Sequence, residues 1–311
     1  MSRLLSLLAI CVTLPLHAFD LQGHRGARGL LPENTIPAFQ KALDLGVDTL
    51  ECDMAITKDG VVVVYHDLWL NPDITRGDDG KWLESRGPAI SSLTFAELQK
   101  YDVGRIKPGT EYAKAFSEQQ PIDGTRIPKL SDLFDLVKKS GNTKVGFDCE
   151  TKVSPLERDA TRPVEEFARM AIEEIRKAGM AAGTMVQSFD WRTLQLIQKE
   201  AAEIRTMYLT SPATLRPSAD GNASPWLAGF NPERHGGSVP KTVRAANGKI
   251  WAPNQTYLTP ALLAEARSLG MVVIPWTVND PSVMNKLLDM GVDGIISDRP
   301  DLVQIEQRKR K

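Results

Sequence analysis

The chain has 311 residues, 42% of them hydrophobic, enough to bury one large core or two smaller ones. Its 38 basic and 39 acidic residues leave a formal charge of −1, which excludes a broad electrostatic footprint for nucleic acid. Three cysteines in this length exclude a disulfide framework.

At the amino terminus, Arg3 precedes an apolar run over residues 4–16 that leads into Leu16-His17-Ala18. The run is too short to span a bilayer and reads as an export signal, residues 1–18, removed after Ala18. The mature protein is expected to begin at Phe19, in the periplasm or outside the cell, with no stable insertion in a membrane. Cys11 leaves with the signal, so two cysteines remain.

Strand-like apolar runs then recur at 19–24, 48–54, 144–150, 184–189, 204–209, 249–252, 271–276 and 294–297. Helical patterns lie between them at 34–46, 131–140, 162–180, 190–202, 238–247, 259–269 and 280–290. Cap residues such as Asp190, Thr259 and Asp280 open several of these, and Gly46, Gly141, Gly270 and Gly291 close others. Eight strands with helical patterns between them predict a (β/α)8 TIM barrel, a single α/β domain over 19–311. The basic end, Arg308 to Lys311, reads as a solvated helix end or tail.

One run breaks the alternation. Residues 61–67, VVVVYHD, follow ECDMAITKDG with no room for a crossover helix, so they fold back as an antiparallel strand. Asp59-Gly60 predicts a two-residue hairpin loop, which pairs 58 with 61 and places His66 opposite Asp53. Residues 67–128 then form an insertion too long for an ordinary barrel loop, which predicts a lid containing Trp69 and Trp82.

Barrel sites form at the carboxyl ends of strands. Residues i and i+2 of a strand share a face, so Glu51 and Asp53 project together while Cys52 points to the helices. Glu150 shares a face with Asp148, and Cys149 is opposed. Glu51, Asp53 and Glu150 thus converge on one rim, where either Lys and Arg neighbours or a divalent cation must offset their charge. Oxygen-only ligands favour Ca²⁺ or Mg²⁺ over Zn²⁺. His24 and His66 flank the cluster and suit divided acid and base roles. Arg25 and Lys152 offer positive charge for a tetrahedral oxyanion, and the set together reads as phosphoester hydrolysis. His235, in a long loop, reads as a surface or lid residue.

The stretches GHRGARGLLPENT, ECDMAITKDGVVVVYHD, SLTFAELQKYDVG, IPKLSDLFDLV, FDCETK, VQSFDW, PWTVND and GVDGIISDRPD occur in this order from residue 22 to 302. Here the chain resembles the glycerophosphodiester phosphodiesterase family. The resemblance implies a barrel with a capping insertion and a Ca²⁺- or Mg²⁺-dependent hydrolase that cleaves small-molecule glycerophosphodiesters to glycerol 3-phosphate and an alcohol. It matches His24 and His66 to the acid/base pair, and Glu51, Asp53 and Glu150 to the metal ligands. Arg25 and Lys152 match phosphate contacts, and Phe189 and Trp276 apolar residues near the glycerol end. Asp148 and the segment LNPDITRGDDG depart from the family's usual pattern. A related barrel phosphodiesterase that acts on intact phospholipids, in the manner of a phospholipase D, is the alternative activity.

Overall fold

Short strands, apolar on the face turned to the helices, alternate with amphipathic helices through the whole described chain. In a computed structural model, which describes residues 19–219 and 221–310, the first elements are β1 (Asp20–Gly23), α1 (Ile36–Leu45), β2 (Thr49–Ile56) and β3 (Val62–Val64). Two short helices, α2 (Phe95–Leu98) and α3 (Glu111–Ala115), lie in the insertion before α4 (Leu130–Ser140). Then follow β4 (Gly146–Thr151), α5 (Val164–Lys177), β5 (Thr184–Ser188), α6 (Trp191–Glu200), β6 (Arg205–Thr210) and α7 (Val239–Ala245). The last units are β7 (Ile250–Pro253), α8 (Pro260–Ser268), β8 (Val272–Val273), α9 (Pro281–Met290), β9 (Gly294–Ser297) and α10 (Pro300–Arg308). The proposed export signal lies outside the described residues.

The eight parallel strands run in the order β8–β7–β6–β5–β4–β2–β1–β9. Backbone bonds from Asp293 N to Val273 O (3.0 Å) and from Ile296 N to Pro275 O (3.1 Å) join the two ends of that path. The sheet therefore curls into the expected TIM barrel. Asp190, Thr259 and Asp280 accept from first-turn amides as the sequence marks, as does Thr35 on α1; Gly46, Gly141 and Gly291 close helices in the left-handed region, and Gly270 follows the α8 cap Leu269. The stretch that forms α10 lies outside the helical patterns marked in the sequence, although its residues are amphipathic. It is held by burial of Val303 and by Gln304 Nε2 donating to Leu45 O at 2.6 Å.

Strand alternation sorts the side chains. Leu50, Cys52 and Met54 enter the core between barrel and helices with Phe39, Phe134, Phe147, Trp191 and Trp251. Cys52 and Cys149 are free thiols there, with sulfurs 3.6 Å apart. Inside the barrel, Met185, Met207, Leu209, Ile250, Ile274 and Ile296 form an apolar packing from the β5–β9 half. The β1, β2 and β4 half supplies Gln22, Glu51, Asp53, Asp148 and Glu150 instead, all buried.

The hairpin forms with a register one residue away from expectation. Met54 pairs with Val64, Ala55 with Val63 and Ile56 with Val62. Thr57 N donates to Val61 O, so the loop is the three residues 58–60 with Gly60 at φ 82°. The Asp59 carboxylate explains the longer loop, because it accepts from Thr57 Oγ1 (2.6 Å) and from the Phe95 amide (2.9 Å). Asp53 therefore faces Tyr65, whose amide donates to Asp53 O at 2.9 Å, and His66 follows just past the ladder. Val63 and Tyr65 anchor a second apolar cluster with Leu70, Ile74, Ile90, Leu98, Val103 and Ile127, which is the core of the insertion. Arg76, within the divergent segment, ties that insertion together through Asp102 and Asp123, both at 2.5 Å.

Gly26 fixes how closely the β1 loop packs on α1. Its φ is +84°, and an added Cβ would lie 2.7 Å from Ala38 C and 2.8 Å from Phe39 N. Backbone strain and overpacking should each cost about 1–3 kcal/mol. Gly26→Ala is expected to lower unfolding stability by about 2–5 kcal/mol in urea titration; a loss under 0.5 kcal/mol would contradict this close packing.

Candidate active site

The turn after β1 is strained in order to aim its side chains. Arg25 (φ 50°) and Asn34 (φ 56°) are both left-handed, a conformation asparagine tolerates and arginine resists. Hydrogen bonds over-determine it. The Arg25 amide donates to Glu51 Oε2 at 2.7 Å, and its guanidinium donates to Glu33 Oε1 at 2.7 Å. Arg25 Nε lies 3.2 Å from Asp53 Oδ2, which also accepts from Asn34 Nδ2 at 2.8 Å. Burial disfavours the Arg25 charge, but Glu33 and Asp53 outweigh it and hold the guanidinium well above its ordinary value.

Glu51, Asp53 and Glu150 are buried, and each offers an oxygen within 4.8 Å of the others. Burial and the neighbouring Asp53 push Glu51 well up, although it accepts from Arg25 N and from Gln187 Nε2 at 2.8 Å. Burial pushes Glu150 up to about 7 despite Lys152, whose Nζ donates to Glu150 Oε1 at 2.7 Å. Asp53 takes the opposite course. Burial disfavours its charge, but Arg25, His66 and Lys152 together hold it well below the carboxylate range. The donor set is oxygen-only, crowded and short of positive charge, and it fits a hard divalent cation. Asp148, level with Glu51 across the β2–β4 pair, has no hydrogen-bond partner among the described residues for either oxygen. Burial and Glu51 push it well up, toward the neutral acid.

Each histidine is oriented by a carboxylate at Nδ1, which leaves Nε2 for chemistry. His24 Nδ1 lies 2.6 Å from Asp298 Oδ1, and His24 Nε2 lies 3.9 Å from Glu51 Oε2. Asp298 also accepts from Arg28 Nε (2.8 Å), Arg28 NH2 (2.9 Å) and Asn279 Nδ2 (2.6 Å). Burial lowers the His24 imidazole to about 4, against the pull of Asp298. His66 Nδ1 lies 2.6 Å from Asp67 Oδ1, and Asn71 Nδ2 donates to Asp67 Oδ2 at 2.8 Å. Burial, then Arg25 and Lys152, lower His66 as well.

Two chambers open from this mouth. The smaller, about 220 Å³, is lined by His24, Arg25, His66, Glu150, Phe189 and Trp276 among others. Phe189 and Trp276 meet edge to face there, with centroids 5.2 Å apart. The larger, about 570 Å³, shares His66, Glu150 and Phe189 and adds Lys152. All nine residues singled out in the sequence thus gather at one barrel end. His235, by contrast, ends a one-turn helix in the loop after β6, as expected. Sequence reasoning gave no role to Asp298, Asp67, Asn34, Glu33, Arg28 or Gln187. Asp298 directly follows the last strand, which is the one signal that could have marked it.

The profile of the glycerophosphoryl diester phosphodiesterase family matches residues 24–302. A glycerophosphodiester phosphodiesterase of Caldanaerobacter subterraneus subsp. tengcongensis is 28% identical over 278 residues, covering 89% of this chain and 93% of its own. A solved structure from Silicibacter pomeroyi, ascribed to a glycerophosphoryl diester phosphodiesterase, superposes with a TM-score of 0.84 at 32% identity, over 94% of each chain. A phosphodiesterase from Oleispira antarctica, solved with sn-glycerol-3-phosphate, shares the fold at TM-score 0.67 and 22% identity, over 93% of this chain and 96% of its own. The chain belongs to the glycerophosphoryl diester phosphodiesterase family, and it is a phosphodiesterase.

Proposed function

We propose that the protein hydrolyses glycerophosphodiesters to glycerol 3-phosphate and an alcohol, with His24 and His66 moving the protons and a divalent cation held by Glu51, Asp53 and Glu150. The carrying observation is the pair of imidazoles, each tied at Nδ1 to its own carboxylate, on either side of the buried carboxylate triad. Glycerol phosphate bound to the Oleispira neighbour supports the substrate class. The apolar amino terminus supports action after export, and among the described residues no helix is long and apolar enough to cross a membrane.

The smaller chamber takes the glycerol moiety, with Phe189 and Trp276 against its carbon skeleton and Arg25 beside the phosphate. Lys152 adds a second positive charge from the other side. What a bound cation supplies there is offset of charge on the phosphoryl oxygens. His24, held neutral, accepts the proton of the attacking water. His66 gives its proton to the departing oxygen, and the phosphodiester anion beside it favours the imidazolium. The water oxygen bonds to phosphorus as the phosphorus–oxygen bond to the alcohol breaks.

His24→Ala and His66→Ala should each lower kcat on glycerophosphoethanolamine by about 10²–10⁴-fold while circular dichroism stays native; full turnover in both would remove the histidines from the mechanism. Cation affinity carries its own pH signature. Glu150 is raised to about 7, so below that pH a proton competes with the cation, and above it the carboxylate is free. Calorimetric titration with Ca²⁺ should show affinity falling by up to about tenfold per unit as pH drops below 7. An affinity flat from pH 8 to 5.5 would contradict Glu150 as a ligand.

A further inference from the structure

The two chambers differ in chemistry as well as size. The smaller one carries Arg25, Arg28, Gln187 and Thr277, groups that match a phosphate and hydroxyls. The larger one is walled by Trp69, Val153, Leu156, Phe189 and Trp226. Its charged groups fall into two sets. His66 and Glu150 are shared with the smaller chamber, Asp67 and Lys152 are bonded to them at 2.6 and 2.7 Å, and the exposed pair Arg86–Glu157 (3.4 Å) lies elsewhere on the lining. Arg86 also lies over the Trp69 ring at 4.4 Å, and Trp226 meets Phe189 edge to face at 6.4 Å, so the wall is assembled from mutually supporting rings. Leu156 is 69% exposed, and an apolar side chain held open on an apolar chamber lacks a partner. A volume of about 570 Å³ lies in the range of pockets that enclose drug-sized ligands. A two-carbon head group would leave most of those walls wet.

We propose that the larger chamber receives the leaving alcohol and is shaped for one with an extended apolar body, with Trp69 and Leu156 as specificity-determining residues. This rests on the phosphodiesterase reading and deepens it. The two chambers meet at His66, so a phosphodiester that spans them sets its scissile bond beside that imidazole. Water's oxygen bonds to phosphorus, the phosphorus–oxygen bond on the larger-chamber side breaks, and the alcohol leaves with a proton from His66. Glycerol 3-phosphate stays in the smaller chamber. Apolar contact along the alcohol acts in ground and transition states alike, so its effect falls on KM and kcat/KM more than on kcat.

A homologous series of glycerophospho-n-alkyl esters, methyl to hexyl and kept monomeric, tests this directly, because leaving-group acidity barely changes along it. We expect kcat/KM to rise by about two- to fourfold per methylene, mainly through KM, with alkanol and glycerol 3-phosphate as products. Leu156→Asn and Trp69→Ala should each flatten that slope, Leu156→Asn being an exposed change that leaves folding intact. A flat or falling series, or release of alkyl phosphate and glycerol, with glycerophosphoethanolamine still cleaved, would overturn the chamber assignment alone. An unaltered slope in both variants would overturn the role of those two residues. Hydrolysis of no ester at all would overturn the phosphodiesterase reading as well.

Discussion

Three carboxylates buried within a few ångströms of one another govern this barrel's mouth. In a poorly solvated rim Glu51, Asp53 and Glu150 cannot all ionise unless positive charge is built around them. Arg25 and Lys152 supply part of it, and both favour Asp53. The strained turn after β1 exists in this light for a reason: the left-handed Arg25 turns its amide onto Glu51 and its guanidinium toward Asp53. Glu33 and Asn34, eight and nine residues on, brace that arrangement from the far side. Two protein cations against three acids leave the set incomplete, which is the condition a divalent ion relieves.

Polarity continues inward from the mouth. One half of the barrel interior is ordinary aliphatic packing, whereas the other places Asp148 level with Glu51 and Gln22 one layer below, level with Thr49. Burying a partnerless carboxyl is costly, and the neutral acid is its cheapest form. The insertion closes the remaining side. Its hairpin pairs only three residues of β3, yet this suffices to plant Tyr65 in the insertion core and leave His66 at the junction of the two chambers. The pairing of β3 with β2 thus sets where the proton donor stands.

Much of this was legible in the residues. The i, i+2 rule alone turned Glu51, Asp53 and Glu150 to one side and both cysteines to the other, because strand alternation is a local property. Cap residues and glycines bounded most helices for the same reason. The hairpin register was not legible: Asp59 bonds to the amide of Phe95, thirty-six residues away, and a local turn rule has no access to that contact. Asp298 escaped for a similar reason, since its partner His24 lies at the opposite end of the chain and only closure of the barrel brings them together. Residue 34 read simply as the start of a helical pattern, and Thr35 does cap α1, but Glu33 and Asn34 serve the site.

The measurement that bears most directly on the buried triad is thermal unfolding of the metal-stripped protein during titration with Ca²⁺ or Mg²⁺, compared with Glu51→Gln and Glu150→Gln. A cation that binds the folded state at a hundredfold excess over its Kd adds about 2.7 kcal/mol of stability. The wild-type midpoint should climb steadily with cation concentration, and the climb should vanish or shrink sharply in both variants. A wild-type midpoint that stays fixed, or one that rises equally in the variants, would contradict the assignment of these carboxylates as the cation's ligands.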